Sequence, residues 1–364
     1  MLSSTSSSNQ RLPVLPWLRL WIPALLLVVV LAALLEFRLA LRGIAPTQLD
    51  SEARWLEERS RASSDGPQSL VLIGASRIQL GIDVPLLQRL SGKPAHQLAI
   101  DGSSYWPVLR GLANDDTFSG TVIVDYYHHT PMDNAHGGLA ATYEQHYQQK
   151  KAQLRQWHFD RLENLLEWHW RGLLRSYADG ARPLDSLFYR ILNQPQMPQY
   201  LRTNFDRSRD ADYRKLPMPD FYLARVRRNL GEHAPTNLDR YRSYPELFAA
   251  LQQSIASLPI ADRSEQTEKH RQLRAAVEKI QARGGQVIFL VMPSSGMVRD
   301  IEQRQYPDAL FLQPLQQALP APVINSTSQP QLADFVCPDG SHLDYRDKAR
   351  FTAAFASVAG LSHR

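Results

Sequence analysis

Two stretches of this chain carry residues that can do covalent chemistry together. The first, Val71-Leu72-Ile73-Gly74-Ala75-Ser76-Arg77, is an apolar run ending in a glycine, a small residue, a serine and an arginine. It reads as a buried strand entering a tight turn. Ser76 then stands at the strand's carboxyl end, where open parallel sheets bind their ligands. A serine hydroxyl is a weak nucleophile until a neighbouring base takes its proton. The second stretch, Asp339-Gly340-Ser341-His342, offers that base in His342. Small residues after a strand are common, so Gly-x-Ser alone reads equally well as an ordinary turn. The downstream histidine makes the pair informative.

The intervening elements have to bring the two stretches together. Strand patterns fall near 69–73, 96–100, 121–127, 286–292 and 322–325. Helices are expected between them. One is capped by Asp83, with Pro85 in its first turn and Gly92 as its stop. Another covers 106–113. A third carries Leu273, Ala276, Val277 and Ile280 on one face and stops at Gly284-Gly285, and a last one spans about 344–358. Strands separated by helices argue for an α/β fold with a parallel sheet covered on both faces.

Residues of about 140–280 lack strand patterning and read as a long helical insertion at the rim of that sheet. Tyr147, Leu154, His158, Leu162, Leu165, His169 and Leu173 follow helical spacing there. Trp157, Trp168 and Trp170 are expected to pack helices together rather than to stack on sugars. The stretch 196–219, rich in Pro, Arg, Asp and Asn, is expected to be irregular.

The chain has 364 residues, 43% of them hydrophobic, and a formal net charge of +5. No Lys/Arg block dominates, so no nucleic-acid partner is expected. Residues 1–16 read as a disordered tail. Residues 17–37 read as one transmembrane anchor: 20–35 carry no charge, Trp17 and Trp21 sit at one edge, and Arg19 can snorkel to the interface. Leu-Leu-Glu-Phe-Arg follows instead of a small-x-small cleavage site, which favours an uncleaved anchor. Arg11 and Arg19 precede the span and Arg38 and Arg42 follow it, leaving orientation open. Residues 38–68 read as a stalk and entry helix, and 69–364 as the main domain. Cys337, the single cysteine, permits no intrachain disulfide and reads as a small buried thiol. No metal-ligand spacing and no cofactor motif is present, so no metal or cofactor is expected.

Ser76 after the first strand and Asp339-x-x-His342 before the last helix resemble the SGNH/GDSL hydrolase superfamily. Gly74-Ala75-Ser76 matches its Gly-x-Ser block, and Asp339 and His342 match its Asp-x-x-His block. Gly102, in the turn Asp101-Gly102-Ser103-Ser104 after the second strand, falls where the family has its glycine. The resemblance covers about 69–358 apart from the insertion. It implies a three-layer αβα flavodoxin-like sheet. Ser76 would be the nucleophile, His342 the base and Asp339 its orienting acid, with the N–H groups of Ser76 and Gly102 facing an oxyanion. Ser341 lies too close to His342 for attack, and Ser294 and Ser295 are expected to line the same rim.

One block departs from the family. Its Gly-x-Asn-Asp asparagine is missing: the third strand runs into Val124-Asp125-Tyr126-Tyr127-His128-His129-Thr130, and Asn134 comes several residues late. His128 is the candidate replacement donor, and a solvated or packing loop is the alternative. His129 and Arg77 are candidate substrate contacts, with bracing of the turn as the simpler role for Arg77.

A single anchor, this core and altered middle blocks resemble the membrane-anchored SGNH proteins of bacterial glycan O-acetylation. That resemblance implies an esterase or O-acyltransferase at the bacterial inner membrane, with its catalytic domain periplasmic. Its substrate would be an acyl ester, typically acetyl, of an envelope or secreted carbohydrate, and a membrane-bound acyl-transfer partner is a further expectation. The altered third block leaves a second reading open, an inactive glycan-binding or assembly protein. A phosphate-binding α/β protein is a weaker third, since no Gly-rich run or Walker lysine accompanies Gly74.

Overall fold

The computed structural model describes residues 17–132, 137–154, 166–193, 197–236, 241 and 243–362. Asn134, Trp157, His158, Leu162, Leu165 and the N-terminal tail lie outside the described residues.

Five strands form one parallel sheet: β1 (Leu70–Ile73), β2 (Ala95–Gln97), β3 (Thr121–Asp125), β6 (Gln286–Val291) and β7 (Val323–Asn325), in the order β2-β1-β3-β6-β7. The register pairs Leu70 with Ala95, Ile73 with Val124, Asp125 with Leu290 and Val291 with Asn325. Each strand lies within the sequence-predicted range to within a residue or two, although β2 and β3 end earlier than expected.

Successive strand residues point to opposite faces, so both faces of an apolar strand need cover. Val71, Ile73, Val122, Val124, Val287 and Phe289 pack on one side against Trp55, Leu109, Leu273 and Val277. Leu70, Leu72, Ile123, Ile288 and Leu290 pack on the other against Ile78, Leu87, Phe351 and Phe355. The helices on the first side include α2 (Glu52–Ser64), α5 (Trp106–Ala113), α6 (Leu139–Leu154) and α9 (Gln266–Gln281). On the second are α3 (Ser76–Gly81), α4 (Val84–Ser91) and α12 (Tyr345–Val358). Local signals act as the sequence indicates. The Asp83 carboxylate accepts from the Leu86 N–H at 2.9 Å and Gly92 closes α4 in the left-handed region, while Asp344 caps α12.

Two expectations change in detail. The helix in the expected stalk packs into the domain: Trp55 is fully buried and its Nε1 donates to the Leu98 carbonyl at 2.8 Å. Within 196–219, expected to be irregular, a small antiparallel hairpin joins β4 (Leu201–Thr203) to β5 (Arg209–Ala211). Its short alternating run is too brief for a periodicity reading, and tertiary contacts decide it. The insertion is otherwise helical where described, with α7 (Asp220–Leu230) and α8 (Tyr244–Ala256) packed on α10 (Gly296–Gln305). The N-terminal helix α1 runs Trp17–Leu41; within its 23-residue stretch Arg19–Leu41, an 18-residue window has mean hydropathy 2.5 and is left uncovered by the rest of the chain, while Leu39 near the end packs against Ile44 and Ala178. It is long and apolar enough to cross a membrane.

A buried charge cluster ties α2 to the first helical layer. The fully buried Arg59 guanidinium meets Glu144 at 3.3 Å and Asp115 at 3.4 Å, and lies over the Tyr147 ring. Removing one partner of such a cluster strands the others without water. Arg59→Met is therefore expected to lower unfolding free energy by about 3–5 kcal/mol, read by denaturant titration in detergent. A loss within error of zero would show that the cluster is not structurally important.

Candidate active site

β1 ends against the start of α3, and the turn between them is tighter than any side chain permits. Gly74 has φ +146, and a Cβ there would lie 2.4 Å from the Asp125 Cβ. Only glycine fits a left-handed position with a neighbour this close. Asp125, the last residue of β3, reaches under the turn: its Oδ2 accepts from the Ala75 N–H at 3.5 Å, and the Ile78 N–H also favours its charge. Burial pushes this carboxyl up to about 6, against the pull of Arg77. The turn leaves Ser76 half-buried as the first residue of α3, where a helix's N–H groups have no partner within the helix.

The loop between β7 and α12 brings the second stretch to it. Gly340 has φ +89, which lets this loop turn back beneath Val298, and its carbonyl accepts from the Ser295 N–H at 2.9 Å. Ser295 Oγ in turn accepts from the Cys337 N–H at 2.9 Å. The loop after β6 thus holds the Asp339–His342 segment in place. His342 Nε2 lies 2.8 Å from Ser76 Oγ, and His342 Nδ1 lies 2.8 Å from Asp339 Oδ2. Asp339 Oδ1 accepts from the backbone N–H groups of Ser341 at 3.0 Å and His342 at 2.8 Å. Ser341 Oγ sits 3.1 Å from His342 Nδ1, on the side of the ring away from Ser76.

Two residues of the insertion complete the carboxylate's surroundings, and sequence reasoning gave no hint of them. Tyr213 donates its hydroxyl to Asp339 Oδ2 at 3.2 Å, and Arg225 donates a guanidinium N–H to the same oxygen at 3.1 Å. Asp339 is fully buried. Burial opposes its charge, but His342, the Ser341 N–H and Arg225 together hold it well below the usual carboxylate range. Neither Tyr213 nor Arg225 stands in a motif, and no spacing signal could have found them.

The remaining candidates are placed less directly. The Ile100 N–H donates to the Gly74 carbonyl at 3.1 Å, which sets the loop carrying Gly102 alongside the nucleophile turn. Gly102 itself is exposed with φ +67, and Arg209 of the hairpin ties its neighbour Asp101 at 2.6 Å. Arg77 is buried, paired with Glu302 and stacked on Tyr127 with 4.1 Å to the ring centroid. These contacts brace the turn. His128 stacks on Tyr306 at 5.5 Å and meets Phe311 edge-on, and burial with the nearby Lys269 pushes its ring down to about 4. His129 is exposed and edge-on to Tyr127. Among the described residues, no hydrogen bond joins His128 or His129 to Ser76 or His342. Both histidines, with Arg77, Ser294, Glu302 and Tyr306, line a small neighbouring cavity of about 50 Å³. Cys337 is buried, and burial pushes its thiol up to about 12, which keeps it protonated. No group of three or more metal-ligating side chains occurs among the described residues.

Comparison of the chain with protein-family models, with curated proteins and with solved structures found no match.

The low-lying Asp339 carboxyl gives a test independent of any activity. A carboxyl depressed in the folded state contributes stability that is present above its unfolded value, about 3.9, and is lost as pH falls through the folded one. Arg225→Met or Tyr213→Phe removes a donor and raises that folded value. Each variant is expected to unfold at a higher pH on acid titration than the parent chain, with Arg225→Met shifted further. Coincident acid transitions in all three proteins would show that these side chains do not support the charge.

Proposed function

We propose that the protein is a membrane-anchored serine esterase or O-acyltransferase working through an acyl-serine. The observation that carries this reading is the unbroken relay from Ser76 Oγ to His342 Nε2 and from His342 Nδ1 to Asp339, with 2.8 Å at both steps. The Nδ1 contact to a charged carboxylate fixes the tautomer that leaves Nε2 free to accept the serine proton.

In this scheme Ser76 Oγ attacks the ester carbonyl carbon while His342 Nε2 takes its proton. The carbonyl oxygen becomes an oxyanion facing the Ser76 N–H, with the Gly102 N–H as second donor. The tetrahedral centre collapses, the bond to the leaving alcohol breaks, and His342 returns the proton to that alcohol. Water or a sugar hydroxyl then attacks the acyl-serine by the same route in reverse, giving hydrolysis or transfer. The strand order, with Ser76 beside the point where chain direction across the sheet reverses at β1 and β3, is that of the flavodoxin-like doubly wound sheet and supports the SGNH-like reading. The apolar Arg19–Leu41 helix supports a membrane-bound location. An acetylated polysaccharide as substrate, and a periplasmic domain at a bacterial inner membrane, follow from the resemblance in architecture.

One observation favours the second reading, a non-catalytic glycan-binding protein. The end of β3 carries a carboxyl, Asp125, and no asparagine donor, and His128 is engaged in an aromatic cluster. Labelling with a fluorophosphonate distinguishes the two. The parent chain is expected to label at Ser76, and Ser76→Ala to stay unlabelled with an unchanged fold. Ester turnover should vanish in Ser76→Ala and His342→Ala. In Asp339→Asn it should fall by about 10⁴, as in the serine-protease triad, because the tautomer is wrong. Double variants should lose no more than the worst single one. Full labelling and turnover in Ser76→Ala would sink the catalytic assignment.

Orientation has its own test. A reporter that is active only in the periplasm, fused after Arg364, is expected to give signal. Signal from a cytoplasmic reporter alone overturns the proposed location.

A further inference from the structure

We infer that the segment 166–192 lies on the bilayer surface as a second membrane contact, with its apolar side chains in the lipid interface. The inference rests on the reading of α1 as a membrane anchor. Outside that helix, the segment carries the densest group of exposed large apolar side chains among the described residues. Trp170, Leu173, Leu184, Phe188, Tyr189 and Leu192 are each between 43% and 68% exposed. Exposed apolar groups clustered in this way mark an interaction site.

The face is built, with a clear inside and outside. Over 183–192 the chain is helical, and Leu184, Phe188 and Leu192 recur at four-residue spacing on the outside. Inward lie Ser186, fully buried with its hydroxyl donating to the Ser176 carbonyl at 2.8 Å, and Ile191, packed beside Leu39, Ile44 and Ala178. Arg190 is also held, donating to the Ala178 carbonyl at 3.0 Å. Among the described residues, the outward apolar side chains of Leu184, Phe188 and Leu192 therefore have no counterpart.

The anchor decides what covers them. Glu36 accepts from the backbone N–H groups of Arg175 at 2.8 Å and Ser176 at 2.9 Å, and Arg42 donates to the Ile191 carbonyl at 3.1 Å. The segment is thus fastened to the last turns of α1. At about 1.5 Å per residue, the 23-residue stretch Arg19–Leu41 is about 34 Å long, against about 30 Å of hydrocarbon. Residues 36–42 consequently fall at the membrane boundary, and anything bonded to them is at headgroup depth. The chemistry of the segment suits that depth: Trp170 and Tyr177 flank the Arg171 guanidinium, and Arg175 and Arg182 are within the same stretch. Aromatic rings with basic side chains and an apolar helix face are what an interface takes up. The consequence is a domain seated on the membrane by two contacts, which fixes its tilt and so the height of Ser76.

The test uses the full chain in vesicles of phosphatidylethanolamine and phosphatidylglycerol at low protein-to-lipid ratio. Single cysteines at Tyr189→Cys, Leu184→Cys and, in the anchor, Leu27→Cys are labelled with an environment-sensitive fluorophore. The parent chain, whose one thiol is buried, is the blank. Blue-shifted emission at 184 and 189, with quenching by lipids nitroxide-labelled near the headgroup, is the expected result. Quenching at Leu27→Cys without quenching at 184 and 189 overturns the surface contact and leaves the anchor standing. No quenching at any site overturns both. A blue shift at 184 and 189 that disappears on diluting the protein in lipid assigns the face to a second copy of the chain and also overturns the proposal.

Discussion

The buried charge of Asp339 is the constraint around which the chemistry-bearing part of this molecule is arranged. A carboxylate taken out of water is costly unless its lone pairs are used. Here five donors use them: two backbone N–H groups of its own loop, the His342 ring, the Tyr213 hydroxyl and the Arg225 guanidinium. These donors come from three separate parts of the chain. The loop before α12 has to turn at Gly340, the ring of His342 has to lie in one plane, and the insertion has to fold back over the end of the sheet. Losing any of these contacts leaves the same buried charge less well satisfied.

The insertion accordingly acts as more than a cap. The turn after its hairpin and α7 carry Tyr213 and Arg225 to the carboxylate, and Arg209 of the hairpin holds the loop that bears Gly102. Lys348 of α12 donates to the Arg209 carbonyl at 3.0 Å and to Asp210 at 3.1 Å, closing the hairpin onto the last helix. At its other end, the stretch 175–192 is joined to the final turns of α1. One continuous insertion thereby links the surroundings of Asp339 to the apolar N-terminal helix.

On the nucleophile side, the corresponding constraint is the approach of Asp125 beneath Gly74. It holds the turn by accepting the Ala75 N–H, and Glu302 and Tyr127 clamp Arg77, the residue that follows Ser76. The third strand therefore contributes support from below, where the family resemblance leads one to expect a donor from above. His128 and His129 belong with Tyr306 and Phe311 to a neighbouring aromatic cluster.

Periodicity and turn chemistry in the sequence determined the five strands, the parallel α/β class, the helices at 84–91, 106–113 and 345–358, and the apolar N-terminal helix. These features depend on spacing within a short window, which a sequence displays directly. The types and order of Ser76, Asp339 and His342 likewise singled them out. Their meeting at 2.8 Å was decided only by the tertiary structure, because it depends on β1 and the last loop reaching the same end of the sheet. So were the hairpin within 196–219, the packing of the expected stalk helix, the bracing role of Arg77, and the parts played by Tyr213, Arg225 and Asp125. Each of these rests on contacts between residues far apart in the chain. A buried carboxylate selects its partners by where they lie in space, and no local pattern in the sequence records that.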